Sequence, residues 1–175
     1  GHGLRSLALQ AMAHRVLGHG KPASYGEFLE QRLQINYFAA ACLLPERRAA
    51  EFLSQAKSER NLAIEDLRDA FGVTHEAAAH RFTNLATKHL GLNVHHYRLD
   101  AAGMIVRGYE NDGLPLPADS TGGVEGQVVC RKWAGRTAFE RTNRTSEFYQ
   151  YTDTPDGTYW SSVQIGDLAQ GAFSI

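Results

Sequence analysis

Histidines are the first residues in this chain whose type could do chemistry, because imidazole nitrogens bind zinc. A zinc-binding pair on a helix is spaced i, i+4, as in H-E-x-x-H, so that both rings share one face. His14 and His19 are five residues apart, which turns them about 140° from each other on a helix, and Arg15 stands where the motif has glutamate. His95 and His96 alternate across a predicted strand. The spacing therefore predicts no zinc site, and we interpret these histidines as exposed or partly buried polar side chains.

The basic residues are mostly arginine, with 14 Arg and four Lys among a total of 18. The planar guanidinium of arginine recognises phosphate and carboxylate as a bidentate fork. The 18 basic residues face 19 acidic ones, and the net charge of -1 gives no global attraction to nucleic acid or to anionic lipid. Any such binding has to use a local patch, and the arginine bias favours an anionic ligand.

Two cysteines, Cys42 and Cys130, are too few to staple a secreted scaffold, and no apolar run approaches the ~20 residues of a membrane span. We therefore expect a cytoplasmic protein that does not enter a membrane. Gly1-His2-Gly3 is typical of a cleaved expression tag, so we expect the chain to be part of a longer protein. The sequence contains no nucleophile elbow, no Walker loop and no G-x-G-x-x-G, which predicts a protein that is not an enzyme.

Apolar residues recur at helical spacing before residue 92 and predict five helices. The predicted helices cover residues 4–17, 25–43, 46–57, 64–71 and 75–89. Ser24 and Glu27 predict a capping box, Thr74 predicts an N-cap, and Gly72 occupies the left-handed stop position. The second helix is apolar on all sides, so we expect it to cross the core.

After Asn93 the pattern changes to the alternation that is typical of strands. Residues 94–99 and 104–109 predict a hairpin, and a loop follows to about residue 127. Further strands are predicted at residues 127–130, 147–151, 158–165 and 172–175. The predicted fold class is α+β, with a five-helix N-terminal half, residues 4–92, packed on a small antiparallel sheet in residues 93–175.

Residues 62–90 place two predicted helices around Gly72 and resemble a helix-turn-helix. The side chains that would face a DNA groove are those of His75, His80, Arg81, Asn84 and Lys88. Acidic Asp66, Asp69 and Glu76 in the same segment weaken the phosphate contacts that dominate DNA affinity. Two interpretations stay open, a DNA-binding module and a structural unit that buries its apolar residues.

Two segments of the helical half resemble the ImmA/IrrE metallopeptidase-like family. Residues 36–46, NYFAAACLLPE, are similar to its N-x-F-A-A-x-L-L-M-P helix, and residues 71–77, FGVTHEA, are similar to its F-G-V-S-x-E-A helix. That family binds zinc through H-E-x-x-H and a glutamate two residues before the Asn. Here the matching helix, Leu7 to His19, lacks the motif, and Gln34 occupies the third-ligand position. The resemblance implies the peptidase fold without its metal.

The second half narrows the resemblance to the short-chain fatty acyl-CoA-responsive transcription regulators, the ScfR family of PrpR and RamB type. Residues 93–105 are similar to the F-V-R-V-D-x-A-G-N-I-S-K-R hairpin of that family. Cys130 and Trp133, followed by Ala138-Phe139, resemble its G-G-x-C-x-x-W-x-x-x-x-A-F segment, and Asp156-Gly157-Thr158-Tyr159-Trp160 comes next.

The resemblance implies the ligand-sensing core of a homo-oligomeric regulator that binds CoA or short-chain acyl-CoA and controls fatty-acid and propionate catabolism genes. It implies DNA binding through a domain absent from this chain, and an iron–sulfur cluster only in the intact protein, beyond residue 175 in a cysteine-rich segment. Cys130 is then a metal ligand, which we expect to be reduced and at least partly accessible. Because a cluster generally needs four thiolates, we expect none in this chain.

A CoA ligand carries about four negative charges, so arginine and lysine side chains should meet its phosphates, while an aromatic or arginine plane stacks on adenine. We expect the site at the junction of the helices and the sheet. Its predicted members are Tyr37, Arg81, Arg107, Tyr109, Arg131, Lys132 and Trp133. The alternative interpretation makes Tyr37 a core ring, Trp133 a packing residue and the charged side chains solvated surface.

Overall fold

The computed structural model describes residues 2–166 and 172–174 and confirms the α+β class. Helices occupy the N-terminal half and strands the C-terminal half. The chain divides into two compact units, Gly1–Leu90 and Gly91–Ile175. Within the described ranges, none of the helices combines the length and the apolar character that crossing a membrane requires.

The first unit contains the five predicted helices. They are α1 (His2–Val16), α2 (Tyr25–Leu43), α3 (Glu46–Ser58), α4 (Ile64–Phe71) and α5 (His75–Leu85), and a π-helical turn, Ala86–Leu90, follows α5. Both N-caps are as predicted: Ser24 Oγ accepts from the Glu27 amide at 3.1 Å, and Thr74 Oγ1 accepts from the Ala77 amide at 3.2 Å. The Glu27 carboxylate accepts from the Ala23 amide at 2.6 Å, one residue before the position of the predicted capping box. Gly72 ends α4 in the left-handed region at φ 57°, which a residue without Cβ adopts at little cost.

The prediction that α2 crosses the core is wrong. Its buried residues are Gln31, Ile35 and Ala39, whereas four large apolar side chains spaced four residues apart are exposed. These exposed side chains are Tyr25, Leu29, Leu33 and Tyr37. Apolar composition shows that a helix can be buried, but it does not say which of its rows meets another element.

The second unit is built on an antiparallel sheet with one helix. Its elements are β1 (His95–Leu99), β2 (Ile105–Glu110), α6 (Ala134–Glu140), β3 (Phe148–Thr154), β4 (Gly157–Ile165) and β5 (Ala172–Ser174). The strand order is β2-β1-β5-β4-β3, and every pair is antiparallel. Residues 127–130 do not form the predicted strand, because they contribute only an isolated bridge between Val128 and Met104. Helix α6 was not predicted.

Helix α6 packs against the sheet. Its buried residues Ala134 and Ala138 form a cluster with Val163 of β4. Gly135 lies so close to β1 that a Cβ atom there would be 2.8 Å from Leu99 Cδ1. A second cluster beneath β1 and β2 contains Tyr97, Leu99, Ile105, Leu114 and Val129, with Trp133 and Tyr159 packed against it. Small residues on the inner face of α6 therefore let the helix lie flush on the sheet.

Candidate functional site

Two of the predicted ligand-binding residues lie together in the first unit. The Arg81 Cζ atom is 6.0 Å from the centroid of the Tyr37 ring, the geometry of a cation–π contact. Tyr37 is 62% exposed, so it is not a core ring. It lines a groove of about 490 Å³ together with Leu17, Leu33, Gln34, Phe38 and Ala41. An aromatic ring held by an arginine therefore borders a largely apolar groove.

Arg81 itself is buried, with 5% of its surface exposed. Its Nε donates to the Leu44 carbonyl at 3.2 Å, and its Nη2 lies 3.9 Å from Oε2 of Glu46. Lys88 Nζ and His89 Nε2 approach the other oxygen of Glu46 at 2.5 and 2.9 Å. The hydrogen bond from Lys88, and then that from His89, lowers the pKa of the Glu46 carboxyl. Arg81 thus joins α5 to the end of α2 and to the start of α3, and Glu46 balances its charge.

The helix-turn-helix geometry is present in α4, Gly72 and α5, but two of its predicted DNA-facing residues point elsewhere. Arg81 is buried against Leu44, and the ammonium of Lys88 contacts Glu46. Glu76 lies in the first turn of α5, where a recognition helix would approach DNA. The cations of this segment are therefore engaged within the unit.

The segment that matches the zinc helix of the peptidases brings its two histidines together. The rings of His14 and His19 meet edge to face at 5.7 Å, because α1 ends at Val16 and the chain turns at Gly18. The prediction that these rings point apart is wrong, since it assumed a helix through His19. Nε2 of His19 lies 2.7 Å from Oε1 of Gln34.

These donors do not fit zinc. A catalytic zinc site has three protein ligands drawn from His, Cys, Asp and Glu, whereas this segment offers two imidazoles and the neutral amide of Gln34. The amide oxygen is already hydrogen-bonded to His19. Across residues 2–166 and 172–174, no three His, Cys, Asp or Glu side chains are grouped closely enough to hold a metal ion.

The other predicted ligand-binding residues belong to the second unit. Arg107 and Tyr109 are exposed and, two residues apart on β2, lie on the same side of that strand. They are opposite Arg98 and His96 of β1. This side of β2 therefore presents a cation and an aromatic ring together.

Arg131, Lys132 and Trp133 lead into α6. The side chains of Arg131 and Lys132 are exposed, whereas Trp133 is half-buried with its ring 5.3 Å from that of Tyr97. The Lys132 carbonyl accepts from Gln150 Nε2 at 2.8 Å, which fixes this segment against β3. The two cations are thus held on an ordered backbone.

Both cysteines are free and exposed. The exposure of Cys130 agrees with the prediction of an accessible thiol, and the exposure of Cys42 on α2 is a further departure from the expectation that α2 crosses the core. Two thiols fall short of the four that an iron–sulfur cluster generally needs, so the donors of this chain do not fit a cluster.

Sequence reasoning missed a buried polar network in the second unit. Nδ1 of His95 lies 2.7 Å from Oδ2 of Asp112, and Nε2 lies 3.1 Å from Oγ of Ser161. His95 and Ser161 are each only 3% exposed, which corrects the interpretation of His95 and His96 as exposed or partly buried. No local pattern reveals this network, because its three members come from β1, the loop after β2 and β4.

The electrostatics of Asp112 follow from this network. Burial is the largest single effect and raises the pKa of the Asp112 carboxyl. It is outweighed by the hydrogen bond with His95, the amide of Leu114 and the charge of His95, so the net pKa is below the ordinary value. The order Ser–His–Asp matches that of a catalytic triad, but the Ser161 hydroxyl is buried, so the network ties three segments of the unit together.

Comparison with known proteins gives a family match and two relatives. Residues 12–83 match the IrrE N-terminal-like domain of peptidase family M78. The chain is 35% identical over 123 residues to the propionyl-CoA carboxylase regulator of Cereibacter sphaeroides, and the alignment covers 70% of this chain and 24% of that protein. This chain thus aligns with about a quarter of the length of the curated relative.

The solved structure of a Mycobacterium tuberculosis transcriptional regulator superposes with a TM-score of 0.61 at 24% identity, over 97% of this chain and 50% of that one. At that identity the likeness is one of fold. Residues 12–83 are thus similar to an IrrE N-terminal-like domain, and the chain shares the fold of a solved transcriptional regulator.

Proposed function

We propose that this chain is the ligand-sensing part of a transcription regulator and binds CoA or a short-chain acyl-CoA. The observation that carries the proposal is the 35% identity to a protein named as a regulator of propionyl-CoA carboxylase. On this proposal the protein is a cytoplasmic, non-enzymatic homo-oligomer. It controls fatty-acid and propionate catabolism genes through a DNA-binding domain outside this chain.

The groove beside Tyr37, in the first unit, is one proposed position for the acyl chain and the pantetheine arm. Its volume of about 490 Å³ lies within the range of small-molecule sites, roughly 300–1,000 Å³. Apart from Gln34, its lining side chains are apolar or aromatic, which suits a thin neutral ligand segment. Arg81 acts here as a positioning residue for Tyr37, because its own charge is balanced by Glu46.

An alternative position for the ligand is proposed in the second unit, where the exposed cations Arg107, Arg131 and Lys132 would meet the phosphates and the rings of Tyr109 and Trp133 would stack on the adenine. Charge-assisted hydrogen bonds of a guanidinium to phosphate are the strong ones, and only an exposed guanidinium is available for them. Cys130, beside Arg131, is proposed as a cluster ligand in the intact protein. The groove and these cations belong to different units and are alternative positions for the ligand, so each is tested separately.

Calorimetry with CoA, acetyl-CoA and propionyl-CoA tests the proposal. Leu33→Asp places a carboxylate in the groove and should weaken binding, because a charged group then faces the apolar part of the ligand. We expect a loss of at least about tenfold in affinity, which corresponds to about 1.4 kcal/mol. Leu29→Asp is the matched control, because Leu29 is exposed on the same row of α2 but does not line the groove. Arg107→Ala and Arg131→Ala should each cost roughly 1.5–3 kcal/mol of binding free energy, the value of a hydrogen bond to a charged group.

Arg47→Ala is the control for lost positive charge, because Arg47 is solvent-exposed and pairs with Glu51 on its own helix. The proposal fails if none of the three thioester or thiol ligands gives a binding heat at millimolar concentration. Unchanged affinity of Leu33→Asp would exclude the groove, and unchanged affinity of both Arg107→Ala and Arg131→Ala would exclude the position in the second unit.

The left-handed Gly72 between α4 and α5 favours a second candidate, a helix-turn-helix that contacts promoter DNA directly. Duplex DNA titrated into the same protein distinguishes the two, since a DNA reader loses affinity steeply as salt rises. A salt-sensitive DNA complex that Asn84→Ala weakens, together with no response to CoA, would favour this second function.

A further inference from the structure

The outer face of the β3–β4 hairpin carries three exposed aromatic rings. Tyr149, Tyr151 and Trp160 are 52, 74 and 44% exposed, and Tyr151 lies directly opposite Trp160 in the register. The rings of Tyr149 and Trp160 stack at 5.6 Å with an interplanar angle of 15°. We call these three residues the aromatic face. The outer side of an antiparallel sheet is ordinarily polar, so a contiguous aromatic surface marks an interaction site.

The opposite side of the same hairpin has a different neighbour. Phe148 and Val163, which are paired across the strands, pack with Ala134 and Ala138 of α6. The packing of the unit therefore explains the apolar residues on that side. It does not explain the aromatic face, which α6 does not cover.

The charge of the hairpin defines the ligand that this surface would take. Residues 145–166 contain Glu147, Asp153 and Asp156 and no Lys, Arg or His, in a chain with 18 Lys and Arg. Asp153 is paired with Thr158 and accepts from its hydroxyl at 2.7 Å, on the same side of the hairpin as the rings. Aromatic faces attract cations, and carboxylates nearby strengthen that preference and repel phosphate.

The position of β3 defines the shape of the ligand. Strand β3 is the last in the order β2-β1-β5-β4-β3, and among the described strands it pairs with β4 alone. The edge of a sheet accepts an extended peptide as a further strand, and every second side chain of that peptide then lies on the same side as the aromatic face. We propose that the aromatic face and the β3 edge dock an extended segment of a partner protein with arginine or lysine at alternate positions.

Fluorescence anisotropy with a short labelled peptide in which arginine alternates with threonine tests this proposal. The peptide should bind, and its affinity should fall as salt rises, because the carboxylates of Asp153 and Asp156 are exposed. The same peptide with glutamine in place of arginine should bind at least about tenfold more weakly. Loss of one exposed cation–π contact corresponds to about a two- to fivefold weaker complex, which is the change expected for Trp160→Thr and for Tyr151→Thr.

Tyr25→Thr is the matched control, since Tyr25 is 75% exposed on α2 and its loss should leave the affinity unchanged. Asp153→Lys retains every ring and reverses one charge, so it tests the proposal even if an aromatic variant misfolds. It should weaken the complex more than Asp153→Asn does. Equal binding of the arginine and glutamine peptides, no binding of the arginine peptide, or an unchanged affinity of Asp153→Lys would each overturn the proposal.

Discussion

His95 shows how one residue can join distant parts of a unit. It is buried, and both of its ring nitrogens are hydrogen-bonded, to Asp112 and to Ser161. A buried polar group that loses its partner costs the full desolvation of that group, about 1–3 kcal/mol. The network therefore contributes to stability chiefly because none of its members is left without a partner.

Asp112→Asn should lower the free energy of unfolding at neutral pH by about 1–3 kcal/mol, because the charged acceptor of His95 is lost. The folded-state pKa of Asp112 is below its ordinary value of 3.8, so the unfolded chain binds the proton more readily. The stability that Asp112 contributes is therefore present above pH 3.8 and is lost as the pH falls through the folded pKa. Urea unfolding across the acid range measures this, and the difference between the two proteins should shrink with decreasing pH.

Glu125→Gln is the control for Asp112→Asn, since Glu125 is exposed and its loss should leave the unfolding free energy nearly unchanged. A difference between Asp112→Asn and the unchanged protein that stays constant down to the most acid pH would contradict the assigned role of the carboxylate.

Residues whose role is local could be predicted from the sequence, and residues whose role is tertiary could not. Ser24, Thr74 and Gly72 act within four residues of their own position, and each has the geometry that its type predicts. Arginine is ordinarily a surface residue, but Arg81 is buried against the Leu44 carbonyl and the Glu46 carboxylate. Both partners lie far from Arg81 in the sequence, so no local pattern predicts this burial. Sequence reasoning therefore placed Arg81 and Tyr37 in one site, but it expected the Arg81 guanidinium to meet a phosphate and not to be buried.

Whether a helix could be predicted depended on its length and on the caps and stop signals that flank it. Helices α2 and α4 have the predicted bounds, since caps and stop signals flank them. Helix α6 was missed because its seven residues are too few to show a period, and no side-chain cap marks its start. The exposed row of α2, from Tyr25 to Tyr37, was also missed. Only the packing of neighbouring elements determines which side of an apolar helix is covered.

The contact of α6 with β1 leads to a prediction about Gly135. Alanine favours a helix over glycine by about 1 kcal/mol, yet Gly135→Ala should destabilise the protein by about 1–3 kcal/mol. The added Cβ would lie 2.8 Å from Leu99 Cδ1 and 3.1 Å from Tyr97 Cε2. In Gly26→Ala of α2 the nearest atom would be Ser24 Oγ at 3.8 Å, so this matched variant should stabilise by about 0.5–1 kcal/mol. Chemical unfolding of both variants checks the opposite signs, and a stabilised Gly135→Ala would contradict the close docking of α6.

At the scale of the whole molecule, the sequence predicted the division into helices and then strands, because hydrophobic periodicity changes near residue 92. It did not predict that β5 lies between β1 and β4. Strand pairing over that distance depends on which partners remain after the hairpins form, and periodicity carries no information about it. The resemblance to acyl-CoA-responsive regulators added a testable ligand, since residue types alone indicated only an anion.

The donors around His14 and His19 lead to a prediction about zinc. A metal that binds only the folded state stabilises it by RT ln(1 + [L]/Kd), about 2.7 kcal/mol at a hundredfold excess over Kd. His14 and His19 lie together, but His19 is hydrogen-bonded to the neutral Gln34 amide, and among the described residues no third His, Cys, Asp or Glu joins them. Neither added zinc nor a chelator should therefore move the unfolding midpoint of the unchanged protein, and His19→Ala should respond in the same way. Stoichiometric zinc in tag-free protein, together with a stabilisation that His19→Ala abolishes, would show that the amide does complete a zinc site.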